Sequence, residues 1–203
     1  MGHPSKILVM GGVAYLLGTI PFGILISRAF GSNDPRQKGS GNIGATNVAR
    51  VAGAKAGILT LALDAAKASL AVSLPLAFGL GRWLALACAL LVVLGHMFPV
   101  WTGLRGGKGI ASILGATLVL SPAVAAAGLA AFVLVVGLTR YVSLGSLLAL
   151  LSGFAASWFM VPSDSGLKVI LFAFLLLGAI KHAPNIRRLA KGCEPKFRTG
   201  SRA

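Results

Sequence analysis

Acidic and metal-ligating side chains are scarce in this chain of 203 residues. Only four residues carry carboxylates, and they are far apart in the sequence, at Asp34, Asp64, Asp164 and Glu194. The three histidines and two cysteines show no spacing typical of a zinc site. We therefore expect no metal and no cofactor, and a reaction that needs little general acid–base help.

Cysteine is too rare for a disulfide framework, because Cys88 lies in an apolar run and Cys193 in a basic stretch near the C-terminus. We expect both to be free thiols. Charged residues of all kinds make up only 11% of the chain, against roughly 25% in an ordinary soluble domain. The composition leaves no room for a separate soluble domain.

Apolar residues dominate instead, at 56% of the chain, with a mean hydropathy of +0.86. Since a membrane helix needs about 20 apolar residues, we predict an all-α integral membrane protein that forms one multi-pass domain over 1–203. The stretch 109–137 contains Ser121-Pro122, and proline disfavours a helical residue before it, so this stretch is either one long helix or two short ones. In the second case the spans are 7–29, 56–79, 83–100, 109–120, 122–138, 142–161 and 166–183.

The distribution of charge favours seven spans. Seven spans place 15 Lys and Arg residues on one side and three on the other, whereas six would leave eight against ten. The positive-inside rule then predicts an external N-terminus and a cytoplasmic C-terminus. It also explains the net charge of +15, so we expect no nucleic-acid partner. The 15 residues are Arg28, Arg36, Lys38, Arg50, Lys55, Arg105, Lys108, Arg140, Lys181, Arg187, Arg188, Lys191, Lys196, Arg198 and Arg202.

Two glycine-rich loops raise the question of a nucleotide site. The stretch KGSGNIGATN (38–47) contains G-x-G-x-x-G, but it follows the polar residues SNDPRQK, where a dinucleotide-binding fold has a buried strand. The stretch GGKG (106–109) does not complete a Walker A motif, because Thr102 and Gly109 stand where glycine and Ser or Thr are required. Neither loop therefore predicts a nucleotide site.

Four polar segments fall on the predicted cytoplasmic side, at 39–50, 95–112, 139–143 and 181–194. Their backbone N–H groups, hydroxyls, amides and positive charges suit phosphate. The 106–109 loop also opens a helix, whose first turn favours an anion. We expect these segments to form one phosphate-binding pocket at that membrane surface.

Some polar residues have two interpretations. Asp64 and Lys67 are spaced i,i+3 and face the same side of a span, either as a structural ion pair or as ligands. His96, in GHMFP, is either a capping or packing residue or a functional one. The basic residues after 186 are expected to contact anionic lipid headgroups.

Taken in order, these motifs resemble the bacterial acyl-phosphate:glycerol-3-phosphate acyltransferases, the PlsY family. The matching stretches, which cover nearly the whole chain, are SGNIGATN (40–47), GHMFP (95–99), RGGKGIAS (105–112), RYVS (140–143) and HAPNIRRL with GCE (182–194). The H-x-x-x-x-D signature of other glycerolipid acyltransferases is absent. The small departures from the family pattern, at Ala68, Leu104, Ile110 and Ser112, remove no polar group of the predicted site.

The resemblance implies transfer of an acyl group from a fatty acyl phosphate to the 1-hydroxyl of glycerol 3-phosphate, giving lysophosphatidate and inorganic phosphate without a cofactor. It implies a bacterial inner-membrane enzyme with its site facing the cytoplasm, whose partners are these substrates and membrane lipids. A monomer is our working expectation, which does not rest on the resemblance. The alternative function is a transporter for phosphate or a phosphorylated metabolite. Transporters, however, bind near the membrane midplane between repeated halves.

The same resemblance suggests which residues act. Which of them hold the acyl phosphate and which hold glycerol 3-phosphate is left open. An acyl phosphate has a good leaving group, so no covalent enzyme intermediate is required. Since no protein base is evident in the sequence, we expect the phosphate of the donor to take the hydroxyl proton. We expect catalytic roles for Ser40, Asn42, Ser143 and His182, and substrate binding by Gly41, Gly44, Thr46, Asn47, Arg50, Lys108 and Asn185.

Overall fold

The computed structural model describes residues 3–197, and the regular secondary structure within that range is helical. Arg198 and Arg202, which enter the charge count above, lie outside the described residues. The chain divides into two compact units, Met1–Leu120 and Ser121–Ala203.

The first unit is built around one long helix, α4, which packs against every other helix of the unit. Two of its neighbours, α1 and α5, approach each other closely at Gly18 and Gly95. A Cβ added at Gly18 would lie 3.0 Å from Cα of Gly95. The helix is interrupted between α1 and α2 at Ile20-Pro21, where proline has no N–H to continue the helical hydrogen bonds. The helices of this unit are α1 (His3–Thr19), α2 (Phe22–Ala29), α3 (Ala45–Ala52), α4 (Ala54–Ala77), α5 (Arg82–Met97) and α6 (Ile110–Leu120), with a 3-10 turn at Val100–Thr102.

In the second unit, α8 packs against both α7 and α9. The helix α7 begins at Pro122, where its missing N–H costs nothing, and Ser121 serves as the N-cap. The predicted break between residues 120 and 122 is thereby confirmed. Helices α9 and α10 meet at a bend of 63°. The helices are α7 (Pro122–Thr139), α8 (Val142–Met160), α9 (Ser165–Lys181) and α10 (Ala183–Ala190).

The all-α membrane architecture is confirmed. Within residues 3–197, five segments are long and apolar enough to cross a membrane, or six if the bent pair α9 and α10 is counted as one span. The eleven-residue α6 is shorter than such a span, so the count of seven crossings and the orientation remain predictions. The sequence analysis missed α3, which lies within a segment expected to be a loop, and the separate helix α10. The five segments are Ser5–Ala29, Ala54–Ala77, Arg82–Thr102, Pro122–Thr139 and Val142–Met160.

Candidate active site

The first glycine loop is organised by Asn47, a buried residue in the first turn of α3. Its Nδ2 atom lies 2.7 Å from O of Pro35, 2.9 Å from O of Asn42 and 3.1 Å from O of Lys38. Its Oδ1 atom accepts the backbone N–H of Ser40 at 2.8 Å. Since an amide has two N–H groups, three carbonyls share two hydrogens. Both polar atoms of the side chain are thus bound to the loop itself.

Two glycines of this loop have backbone conformations that other residues disfavour. Gly39 has φ of 64° and Gly41 has φ of 71°, in the left-handed region where a Cβ is costly. Asn42 accepts the N–H of Gly44 on Oδ1 at 2.8 Å, a turn that leads directly into α3. The loop leaves the Ser40 side chain exposed. Around it, Thr46 is half-buried and Arg50 is exposed.

An ion pair between a carboxylate and a guanidinium group lies where this loop begins. Arg36 binds Asp34 through two parallel bonds, Nε to Oδ1 at 3.0 Å and Nη2 to Oδ2 at 2.6 Å. The guanidinium of Arg36 holds the pKa of the Asp34 carboxyl below its ordinary value. Asp34 is therefore ionised and already paired at neutral pH.

The second glycine loop packs onto the end of α5. The N–H of Gly106 donates to O of Met97 at 3.2 Å, and the N–H of Gly107 donates to O of His96 at 3.1 Å. Gly109 has φ of 83°, and its carbonyl accepts the N–H of Ile113 at 2.7 Å. This loop thus opens α6, as predicted, with a half-buried Lys108 just before the helix.

Next to this loop lies a buried ionic cluster on α4 and α5. Lys67 Nζ is 2.7 Å from Oδ1 of Asp64, so the two residues form an ion pair, one of the two interpretations that the sequence left open. His96 belongs to the same cluster, because its Nδ1 atom lies 3.2 Å from Nζ of Lys67. Lys67 also donates to the backbone carbonyl of Ile20 at 2.8 Å, at the break between α1 and α2.

In the second unit, Glu194 collects three donors. Its Oε1 atom accepts the hydroxyl of Ser143 and the amide of Asn185, both at 2.7 Å, and its Oε2 atom accepts Nε of Arg188 at 2.7 Å. Burial acts to raise the pKa of the Glu194 carboxyl, but the three hydrogen bonds outweigh it and lower the pKa below its ordinary value. The carboxylate therefore links α8, α10 and the chain that follows α10.

His182 lies at the bend between α9 and α10 and is 2% exposed. Its Nδ1 atom is 2.8 Å from the carbonyl oxygen of Gly178. A carbonyl only accepts hydrogen bonds, so Nδ1 carries a proton, and in the neutral ring Nε2 is the acceptor. The backbone of α9 therefore fixes the orientation and tautomer of this imidazole.

The predicted site residues divide between the two units. Sequence reasoning left Glu194 without a role, although it belongs to the matched GCE stretch. Its partner Ser143 is 51 residues away, and no local pattern in the sequence reveals that bond. The groups are Ser40, Gly41, Asn42, Gly44, Thr46, Asn47, Arg50 and Lys108 in the first unit, and Ser143, His182 and Asn185 in the second.

Comparison with known proteins gives consistent results. Residues 8–192 match the family model for glycerol-3-phosphate acyltransferase. A glycerol-3-phosphate acyltransferase of Methylobacillus flagellatus is 46% identical over 190 residues, which are 91% of this chain and 93% of the relative. The crystal structure of PlsY (YgiH), an integral membrane glycerol 3-phosphate acyltransferase, superposes in its glycerol 3-phosphate form with a TM-score of 0.89 at 37% identity, covering 96% of each chain. Its lysophosphatidic acid form gives 0.85 at 36% identity with the same coverage.

Proposed function

The chain belongs to the glycerol-3-phosphate acyltransferase family, and we propose that it takes its acyl group from a fatty acyl phosphate. The acceptor is the 1-hydroxyl of glycerol 3-phosphate, and the products are lysophosphatidate and inorganic phosphate. The site faces the cytoplasm at the bacterial inner membrane. The chain is an integral membrane acyltransferase, and its family acts in phospholipid synthesis.

One observation carries the choice of donor: each of the four carboxylates in the chain is engaged by a protein group. Asp34 is bound by Arg36, and Asp64 by Lys67. Asp164 accepts the N–H of Leu167 at 2.9 Å as the N-cap of α9, and Glu194 accepts three donors. A carboxylate held in this way is a poor general base, because taking a proton would cost it those bonds. A donor that supplies its own base needs none of these carboxylates.

An acyl phosphate meets that requirement. The 1-hydroxyl oxygen of glycerol 3-phosphate attacks the acyl carbon, and the bond between that carbon and the phosphate oxygen breaks. The hydroxyl proton ends on the released phosphate. The enzyme contributes by holding two phosphorylated substrates in line and stabilising the negative charge that develops on the carbonyl oxygen.

The first unit supplies two loops for this work. The exposed Ser40 hydroxyl, presented by the loop that Asn47 holds, binds the acyl phosphate or its carbonyl oxygen, with help from Gly41, Asn42, Gly44 and Thr46. Lys108 and the first-turn N–H groups of α6 bind the phosphate of glycerol 3-phosphate, and Arg50 adds positive charge. Asn47 acts through the loop, since its polar atoms bind loop backbone.

The second unit supplies an imidazole and an amide. Asn185 contributes to phosphate binding, and His182, whose neutral ring presents Nε2 as an acceptor, contributes to binding of the substrate hydroxyl. Ser143 contributes to binding of the acyl phosphate by turning its hydroxyl, which donates to Glu194 in this structure, towards the substrate. Because Ser143 and Asn185 bind the same oxygen of Glu194, the carboxylate fixes both of them relative to each other. Glu194 is thus a positioning residue within this group.

The decisive experiment uses purified protein in detergent, without added metal. Palmitoyl phosphate with glycerol 3-phosphate should give lysophosphatidate and one equivalent of phosphate, and each substrate alone should give neither. Product from palmitoyl-CoA but not from palmitoyl phosphate would refute the proposed donor. Exchange of labelled glycerol 3-phosphate across proteoliposomes without any acyl donor would instead indicate a transporter.

A second measurement tests the absence of a protein base. The maximal rate at saturating substrates should show no steep dependence on the ionisation of one side chain between pH 6 and pH 8. A single histidine or acid whose removal abolished the chemical step, and whose pKa set the pH profile, would contradict substrate-assisted proton transfer.

A further inference from the structure

The buried cluster of Asp64, Lys67 and His96 has no part in the chemistry proposed above. These three side chains belong to residues that are at most 5% exposed, on α4 and α5. Ionisable groups inside a membrane span are costly and are paired or functional where they occur. Pairing explains why they are tolerated, but it leaves open what they accomplish.

His96 connects the cluster to the second glycine loop. Its backbone carbonyl accepts the N–H of Gly107 at 3.1 Å, and a Cβ added at Gly107 would overlap the Nε2 atom of the His96 ring. The ring and the loop backbone are therefore in contact, with no room for a side chain between them. A change in the tilt of the ring would displace Gly107, the residue before Lys108.

Lys67 and Asp64 set the orientation of that ring. Nδ1 of His96 lies 3.2 Å from Nζ of Lys67 and 3.4 Å from Oδ1 of Asp64, so both partners hold the ring at this atom. Its Nε2 atom is the one that faces the loop. Lys67 is itself held by Oδ1 of Asp64 and by the carbonyl of Ile20, and its Nζ atom lies 5.5 Å from the centre of the Phe22 ring.

We infer that Asp64, Lys67 and His96 are positioning residues that set the backbone of loop 105–109, and through it Lys108, for the phosphate of glycerol 3-phosphate. The substrate part of this inference rests on the proposed function of that loop. The first glycine loop is held independently by Asn47, so disturbing the cluster should leave loop 39–47 unchanged. This separation distinguishes positioning from general loss of structure.

Hydrogen exchange tests the coupling between cluster and loop without any substrate. The variants are Lys67→Met and, because a buried carboxylate without its partner destabilises a protein strongly, the charge-balanced pair Asp64→Asn with Lys67→Met. The control is Thr60→Val, since the buried Thr60 hydroxyl donates to O of Ala56 in its own helix. Exchange in peptides covering 105–109 should become faster in the cluster variants and not in the control. Peptides covering 39–47 should not change.

Steady-state kinetics then tests the consequence for the substrate. In the charge-balanced variant, KM for glycerol 3-phosphate should rise between about tenfold and a hundredfold, the range for a binding group misplaced by about 1 Å. KM for the acyl phosphate should stay within about twofold of the parent, a change of about 0.4 kcal/mol. In a Lys108→Gln background the added effect of the cluster variant should largely disappear, because both act on one contact.

The outcomes separate the two proposals. If Lys108→Gln raises KM for glycerol 3-phosphate while the cluster variants change neither KM nor exchange at 105–109, the inference is overturned. If Lys108→Gln leaves that KM unchanged, the proposed function of the loop is wrong, and exchange at 105–109 still decides whether the cluster positions it. Equal changes in KM for both substrates, with faster exchange in both loops, would show a purely structural role and would also overturn the inference.

Discussion

The side-chain oxygen of Asn47 accepts the backbone N–H of Ser40 at 2.8 Å, across seven residues. This bond fixes the loop position from which the Ser40 hydroxyl is exposed. The rest of the Asn47 amide binds carbonyls of the same loop. One buried side chain therefore closes this loop through its own backbone.

We expect Asn47→Ala to lower the free energy of unfolding by about 1 to 3 kcal/mol, the penalty for unpaired buried polar groups. It should also lower kcat by a larger factor than it changes KM for glycerol 3-phosphate. Asn47→Asp should be no better, because it sets a carboxylate oxygen against three carbonyls. Thermal denaturation and steady-state kinetics give both quantities. The control is Asn33→Ala, at an exposed position of the same segment. A kcat equal to that of the wild type in Asn47→Asp would contradict the loop-closing role of Asn47.

Lys108→Ala should weaken binding of glycerol 3-phosphate by about 1.5 to 3 kcal/mol, as expected for one charge-assisted bond. This corresponds to a rise in KM of about 10- to 150-fold. Lys55→Ala removes the same charge from an exposed position at the start of α4 and should have little effect. Unchanged affinity in Lys108→Ala would remove this residue from the phosphate site.

Ser40→Ala tests the first loop separately from the second. Because the side chain is exposed, its loss should change stability by less than about 0.5 kcal/mol. If the hydroxyl stabilises charge at the reacting carbonyl, kcat should fall about 100-fold or more. A fall in kcat accompanied by a clear loss of stability would show that Ser40 supports the loop and does not contact the reacting groups.

The sequence predicted those features that depend on composition and local spacing. The i,i+3 spacing of Asp64 and Lys67 indicated that they could pair, and Ser121-Pro122 together with the charge count predicted a helix boundary, because spacing and composition can be read from the sequence alone. The structure of α3 was missed, since ATNVARVA is short and lies in a polar segment. Its Asn47 bonds depend on where three loop carbonyls point, which no residue pattern specifies.

Non-local contacts explain the other omissions. The bond between Ser143 and Glu194 joins α8 to the chain after α10, and the contact between His96 and Gly107 depends on how the loop returns onto α5. A glycine at 107 is visible in the sequence, but the ring that excludes a side chain there is not. Whether both polar groups serve one pocket stays a prediction.

The contacts of Glu194 predict a loss of stability in acid. Since its pKa is lowered in the folded protein, the stabilisation is complete above the ordinary pKa of glutamate, about 4.3. It is lost as the pH falls through the lower pKa of the folded state. Glu194→Gln should cost about 1.5 to 3 kcal/mol at pH 7, and its Tm difference from the parent should shrink towards pH 3. A difference that did not change with pH would mean that the carboxylate charge contributes nothing.

The predicted orientation can be tested with the two native thiols. Both are free, Cys193 exposed and Cys88 buried, so a membrane-impermeant maleimide should label only Cys193, and only after the cells are permeabilised. In a Cys193→Ser background, Arg105→Cys reports the second glycine loop and should behave like Cys193. Ser163→Cys, in the exposed turn between α8 and α9, should label in intact cells. Labelling of Arg105→Cys and Cys193 from opposite sides would contradict the predicted topology, because the Lys108 loop and the segment after Asn185 would then face different compartments.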